Sequence, residues 1–275
     1  MIYELTKCKV CGSEDLVQID KEIVGLDTYL VYRCKSCDAI VSKEKPRKNI
    51  VKDEIKISTT NYNGAIVGPA EIYEKNYKTL YSINSILENE DRSCGTAFSV
   101  GSNGYLLTNA HVVTRISSEE DGQVNFAIND DITATSFDGE ALECELIDID
   151  LLLDFAVLKI NKRNNFSVKL GSYEQVKTGE KVVSIGNSKG EGMSITEGLV
   201  SDRARKIGNK TKILISVPIN NGNSGGPLFN MKGQVVGVVS SGKKDAIVMN
   251  YAIPVDDMIK FIKKIESEQE IKILN

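Results

Sequence analysis

Gly222-Asn223-Ser224-Gly225-Gly226-Pro227-Leu228 decides how this chain can fold. Three glycines crowd one serine, and a proline leads into an apolar run. Glycine is placed where a backbone needs unusual dihedrals or must admit another group at close range. A hydroxyl on such a turn, with free N–H groups beside it, suits a nucleophile next to an oxyanion site. A hairpin turn carrying an incidental serine fits the stretch equally well. The spacing also formally matches G-x-S-x-G, the nucleophile elbow of α/β-hydrolases, which sits on a strand-to-helix turn and has its histidine after the serine. No histidine follows Ser224, and strand-like residues come next. The elbow reading fails on both counts.

The chain has one histidine, His111, at the end of the apolar run Leu106-Leu107-Thr108-Asn109-Ala110-His111-Val112-Val113. A lone histidine is usually structural. Here it is the one conventional base that titrates near neutrality and could serve Ser224. A third group must orient the imidazole, and Asp154 stands just before the strand-like Phe155–Ile160. A carboxylate at that junction can accept from the imidazole and stabilise its charged form. Asp148 and Asp150 fit the same role, and spacing does not separate the three. A subtilisin-like order would need the aspartate before His111. What remains is His, Asp, Ser in chain order.

Short apolar, β-branched runs recur between Gly, Asn and Asp turns from Leu80–Ile86 through Thr96–Val100, Tyr105–Thr108, Val124–Ile128 and Leu142–Ile149. They continue at Phe155–Ile160, Lys181–Ile185, Gly198–Ser201, Ile213–Val217, Gln234–Val239 and Ile247–Ile253. This pattern predicts an all-β sandwich or barrel. Helical periodicity appears at Pro254–Ile265, where Val255, Met258, Ile259 and Ile262 form one stripe behind an initial proline. A short helix is also expected just after Pro69.

The N-terminal region is of another kind. Cys8 and Cys11, then Cys34 and Cys37, give two C-x-x-C pairs with 22 residues between them, a tetrahedral metal spacing. Short strands at Leu16–Ile19, Tyr29–Tyr32 and Ala39–Val41 complete a small module resembling a zinc ribbon, with structural zinc as the expected metal and iron as the alternative. A unit this small needs metal binding to fold. No βαβ pattern surrounds either pair, which argues against thioredoxin-like redox chemistry. The expected domains are a zinc-ribbon-like module at 1–42, a polar linker at 43–69, and a main domain at 70–275.

With 275 residues, 41% hydrophobic and 26% charged, the balance is that of a soluble globular protein. A net charge of −4 gives no general reason to expect nucleic acid as partner. Residues 1–56 hold 11 Lys/Arg against 10 Asp/Glu, so the module lacks the electrostatic footprint of a nucleic-acid binder. No apolar run reaches the ~20 residues that span a bilayer, so no membrane partner is expected. The N-terminus lacks an export pattern, and with the metal-type cysteine spacing this sets a cytoplasmic expectation.

Taken together, Gly95–Val100, Leu107–Val113, Asp154–Leu158 and Gly222–Leu228 resemble trypsin-like serine proteases of the chymotrypsin fold, HtrA/Deg-like branch. Val235–Gly242 resembles the family's substrate-pairing strand, and Tyr251–Pro254 with the following helix its C-terminal end. The resemblance covers about residues 70–268 and implies a mostly β fold: two six-stranded barrels with the site between them and a C-terminal helix. It implies Ser224 as nucleophile, His111 as general base, Asp154 as orienter, and the N–H groups of Gly222 and Ser224 as oxyanion hole. Ser240, Ser241 and Gly242 would pair with an extended substrate. No catalytic cofactor is implied.

Departures from the pattern refine it. Asn223 replaces the Asp that secreted digestive members use to receive a new N-terminus. Val112 stands where a disulfide partner for Cys94 would be, so Cys94 is expected as a free thiol. Most HtrA proteins add a PDZ domain; none is expected here, and the N-terminal module could recruit a partner instead. Pocket walls at Ser216–Ile219, including Pro218 and Ile219, and at Val238–Ser240 carry no acid. Small or medium aliphatic side chains are therefore the expected cleavage preference. The competing functions are a non-catalytic peptide-binding barrel and a nucleic-acid-binding protein acting through the module.

Overall fold

The computed structural model describes residues 2–3, 14, 16–24, 27–36, 40–42, 67–86, 92–120, 123–163, 166–240 and 249–274. The chain forms two compact units, Met1–Asn61 and Tyr62–Asn275. In the first, β1 (Ile2–Tyr3), β2 (Leu16–Val24), β3 (Asp27–Cys34) and β4 (Ile40–Ser42) make one sheet. β3 pairs antiparallel with β2 and β4 and parallel with β1. The three expected strands are present, two of them longer than the apolar runs that signalled them. Cys8, Cys11 and Cys37 lie outside the described residues, as does the linker from 43 to 66, while Cys34 ends β3.

The second unit opens with α1 (Pro69–Asn76), whose proline occupies the first turn, where its missing N–H costs nothing. Six strands then close a barrel: β5 (Leu80–Ile86), β6 (Arg92–Ser99), β7 (Tyr105–Thr108), β10 (Asp130–Thr135), β11 (Ala141–Asp150) and β12 (Phe155–Ile160). A two-stranded ribbon, β8 (Thr114–Glu120) and β9 (Gln123–Ile128), stands outside it. β12 explains its own apolar sequence, broken only by Lys159. Ala156 and Leu158 fill the first barrel, whereas Phe155 and Val157 face a second core shared with Phe229 and Phe261. A strand buried on both faces has no polar alternation to show.

β13 (Lys169–Leu170) leads to the other sheet: β14 (Lys181–Asn187), β15 (Met193–Ile207), β16 (Lys210–Ile215), β17 (Pro227–Asn230), β18 (Gln234–Ser240) and β19 (Asn250–Pro254). The order β18-β17-β14-β15-β16-β19 returns on itself because β19 also pairs with β18. This makes the second six-stranded ring, packed around Val182, Val200, Ile213, Leu228, Val236 and Val239.

The C-terminal α2 (Val255–Gln269) buries Val255, Met258, Phe261, Ile262 and Ile265. It runs four residues past the expected end. The Glu266 carboxylate accepts from the N–H groups of Ile273 and Leu274 at 2.7 and 2.8 Å, folding the tail back so that Ile273 is buried. Cys94 and Cys144 are free thiols, as expected for Cys94. Burial pushes the Cys144 thiol up to about 12, which makes it a poor nucleophile. Among the described residues no helix is long and apolar enough to cross a membrane.

Candidate active site

The first barrel supplies His111 and Asp154. β7 ends at Thr108, and the 3-10 turn Ala110–Val112 buries Ala110 and Val112 while turning His111 outward. Asp154 closes the turn before β12 with φ +64°, a left-handed backbone that few non-glycine residues adopt. That turn brings the carboxylate back onto the histidine. His111 Nδ1 lies 2.9 and 3.0 Å from Asp154 Oδ1 and Oδ2, and the His111 N–H donates to Oδ1 at 3.1 Å. An ionised carboxylate only accepts, so Nδ1 carries the proton and the Nε2 lone pair is left open. Ser240 Oγ, from the end of β18, donates to Asp154 Oδ2 at 3.0 Å.

The geometry separates the three candidate carboxylates. Asp148 Oδ1 accepts from Ile149 N and Asp150 Oδ1 from Leu153 N, at 2.7 and 2.8 Å. Asp148 bonds its neighbour within β11 and Asp150 the turn that follows, and Asp154 alone of the three meets the imidazole.

The second barrel supplies Ser224, on the turn entering β17, with Gly222 at φ +95° and Gly225 at φ +82°. The two carbonyls flanking Gly222 N–H are both held. Asn221 O accepts from Lys189 N at 2.7 Å, and Gly222 O from Thr96 Oγ1 at 2.7 Å. In a trans peptide the C=O and the next N–H point in opposite directions. Pinning Asn221 O on Lys189 therefore aims Gly222 N–H the other way. Among the described residues neither Gly222 N–H nor Ser224 N–H has an acceptor, so both are available to an oxyanion.

Two buried residues from the first barrel lock this turn, and the sequence reading missed both. Thr96 N–H donates to Ser224 O at 2.9 Å, and its hydroxyl also accepts from Asn187 N at 2.9 Å. Asn109 Oδ1 accepts from Gly225 N at 2.7 Å while its Nδ2 donates to Asp154 O at 2.8 Å. One amide thus spans the nucleophile turn and the aspartate turn. Asn109 is a positioning residue. Asn109→Ala is expected to lower kcat about 10- to 100-fold, from ~1–3 kcal/mol per lost buried hydrogen bond. Steady-state kinetics should show KM nearly unchanged; a purely structural role would instead lower the active fraction and leave kcat per active site intact.

Of the expected substrate-binding residues, Ser240 sits beside Asp154, Pro218 is exposed, and Ile219 packs half-buried against the second barrel's core. Ser241 and Gly242 lie outside the described residues. Asn223 is buried, with an amide oxygen that has no partner among the described residues. A carboxylate there would be a buried charge needing a cation, which accounts physically for the departure to Asn.

The trypsin-like peptidase domain family matches residues 95–238. A probable periplasmic serine endoprotease, DegP-like, from Pseudomonas putida strain F1 is 37% identical over 190 residues, covering 67% of this chain and 37% of the relative. One of the same name from Pseudomonas savastanoi pv. phaseolicola is 38% identical over 175 residues, covering 62% and 34%. The chain thus spans little more than a third of the length of these curated relatives. The solved structure of the HtrA-type protease AlgW with a tripeptide superposes with a TM-score of 0.64 at 27% identity, covering 72% of this chain and 63% of that one.

The relatives' names correct the cytoplasmic expectation, since they are called periplasmic and point there instead. That expectation rested on the N-terminal composition and on cysteine spacing. Neither bears on the barrels, whose two thiols are unpaired and record no compartment. The match over 144 of 275 residues, on the segment carrying His111, Asp154 and Ser224, places this chain in the trypsin-like peptidase domain family.

Proposed function

We propose that this chain is a serine endopeptidase acting on extended or unfolded protein segments. The observation that carries this reading is the Asp154–His111 pair, held through both carboxylate oxygens, beside a serine turn with two open N–H groups. Ser224 Oγ attacks the scissile carbonyl as His111 Nε2 takes its proton, and the imidazolium then protonates the leaving amine. Asp154, itself fixed by Ser240, stabilises that imidazolium. The N–H groups of Gly222 and Ser224 receive the oxyanion.

The end of β18 at Ser240 offers an edge for an extended substrate, and relatives solved with a tripeptide and with a decapeptide support a peptide ligand. Walls from Ser216–Ile219 and Val238–Ser240, which carry no acid, favour small or medium aliphatic side chains. A fluorophosphonate probe should label wild type on Ser224 and leave Ser224→Ala unlabelled. Equal labelling of the two would remove the assignment.

Cys8, Cys11, Cys34 and Cys37 would hold one structural metal, zinc with iron as the alternative, and the module is the place where a recruiting partner would bind. The two C-x-x-C pairs support this. Elemental analysis should find one zinc per chain in wild type and none when all four cysteines are changed to serine. Retention of the metal would refute the ligand set.

A further inference from the structure

A cleft of about 610 Å³ lies between the β15–β16 hairpin, the end of β19 and the first turns of α2, with Leu153, the neighbour of Asp154, on its wall. Arg203, Lys206, Lys210, Lys212 and Lys260 line it. This is a concentration of positive charge in a chain whose net charge is −4. Three acids share the wall, Glu174, Asp256 and Asp257, and two are already engaged. Asp256 accepts from Tyr173 N at 2.9 Å, and Asp257 pairs with Lys260 at 3.4 Å.

The cations are not so matched. Among the described residues Arg203, Lys210 and Lys212 have no ion pair with a carboxylate. Lys206 donates to the Thr211 hydroxyl at 2.7 Å. The Arg203 guanidinium lies 5.0 Å over the Tyr173 ring, and Tyr173 Oη donates to the Arg203 backbone carbonyl at 2.7 Å, which anchors the ring beside the guanidinium. Lys212 is half-buried. Burial pushes its ammonium down from the ordinary lysine range; the Asp154 carboxylate acts against that shift, and neighbouring Lys210 adds to it. Unpaired cations crowded together and partly desolvated cost free energy unless an anion comes between them.

We propose that this cleft binds a compact, multivalent anion of the phosphate type, and that its occupancy reaches the triad along the wall that Lys212 shares with Leu153, the residue next to Asp154. The volume falls within the ~300–1,000 Å³ of small-ligand sites. A guanidinium fork with two ammonium groups matches clustered phosphate oxygens. The binding claim stands independently of the peptidase reading; the coupling to Asp154 rests on it.

Titration calorimetry with inorganic pyrophosphate, on the full chain carrying Ser224→Ala at constant ionic strength, tests the site. One saturable site is expected, weakened at least about tenfold by Lys212→Met and by Lys210→Ala, as for loss of a charge-assisted contact. Lys212→Met keeps the chain's length and removes a half-buried charge, and Lys210 is exposed, so both variants should fold with near-native melting. Absence of saturable heat, or binding untouched by both substitutions, overturns the site. Pyrophosphate should also change the fluorophosphonate labelling rate of wild type at least about twofold and leave that of Lys212→Met unchanged; bound pyrophosphate with no such change overturns the coupling. Failure of wild type to label at all would strike the peptidase reading and leave the binding result standing.

Discussion

Ser224→Ala is expected to lower kcat by about 10⁴- to 10⁶-fold on an unfolded protein substrate, with KM little changed. Among the described residues the serine hydroxyl forms no hydrogen bond to the frame; its turn is held by backbone and by Thr96 and Asn109, through Ser224 O and Gly225 N. Removing Oγ should therefore leave the oxyanion donors and the Asp154–His111 pair in place. The residual rate then reports substrate binding and the oxyanion site alone. A double variant with His111→Ala should lose scarcely more than either single change, because the members of such a unit are not additive. Equal turnover by Ser224→Ala and wild type would end the serine-peptidase reading. Additive losses would mean that serine and histidine do not act in one step.

Gly222→Ala is expected to cost about 10²- to 10³-fold in kcat, the scale of one lost oxyanion donor. Its φ of +95° is strained for any L side chain, and a Cβ there would stand 2.1 Å from Asn187 O. The obstacle is backbone, so the alanine cannot be absorbed by a side-chain rotation. Relief requires the Asn221–Gly222 peptide to turn, breaking the Lys189 N to Asn221 O bond and swinging the N–H out of the site. The triad would survive. Fluorophosphonate labelling, whose own phosphoryl oxygen needs the same donors, should slow in proportion to peptide hydrolysis. Unchanged kcat would show that Gly222 N–H is not a donor in the reaction.

Much of this site was legible in the sequence because the chain offers few choices. A single histidine upstream of a glycine-flanked serine eliminated the hydrolase elbow, and short β-branched runs predicted an all-β sandwich or barrel, which the family resemblance sharpened to two barrels. Spacing did not separate Asp154 from Asp148 and Asp150, and only the family resemblance picked it out, because the choice depends on a left-handed turn at a non-glycine residue, which no pattern announces. β10 escaped notice because Asp130–Thr135 turns only Ile132 and Ala134 inward, too weak an alternation to read. β17, only four residues long, was legible as the strand-like run that begins at Pro227. Thr96 and Asn109 were missed for a different reason. A polar residue inside an apolar run, as in Leu107-Thr108-Asn109-Ala110, is the available signal, but its partners lie more than a hundred positions away at Gly222 and Gly225. Buried polar atoms must be satisfied, yet sequence does not say by whom.

The placement of Thr96 and Asn109 has a consequence for when the molecule becomes dangerous to other proteins. Both belong to the first barrel, while the serine turn they brace belongs to the second. Either half folded by itself would hold only part of the machinery: one a histidine and aspartate with no nucleophile, the other a serine with no base and a slack turn. On the proposed function, cleaving ability arises with the docking of the two halves and not with the folding of either. A chain emerging N-terminus first would then finish its first barrel while still inert, and would gain the complete site only as its last barrel closes onto it.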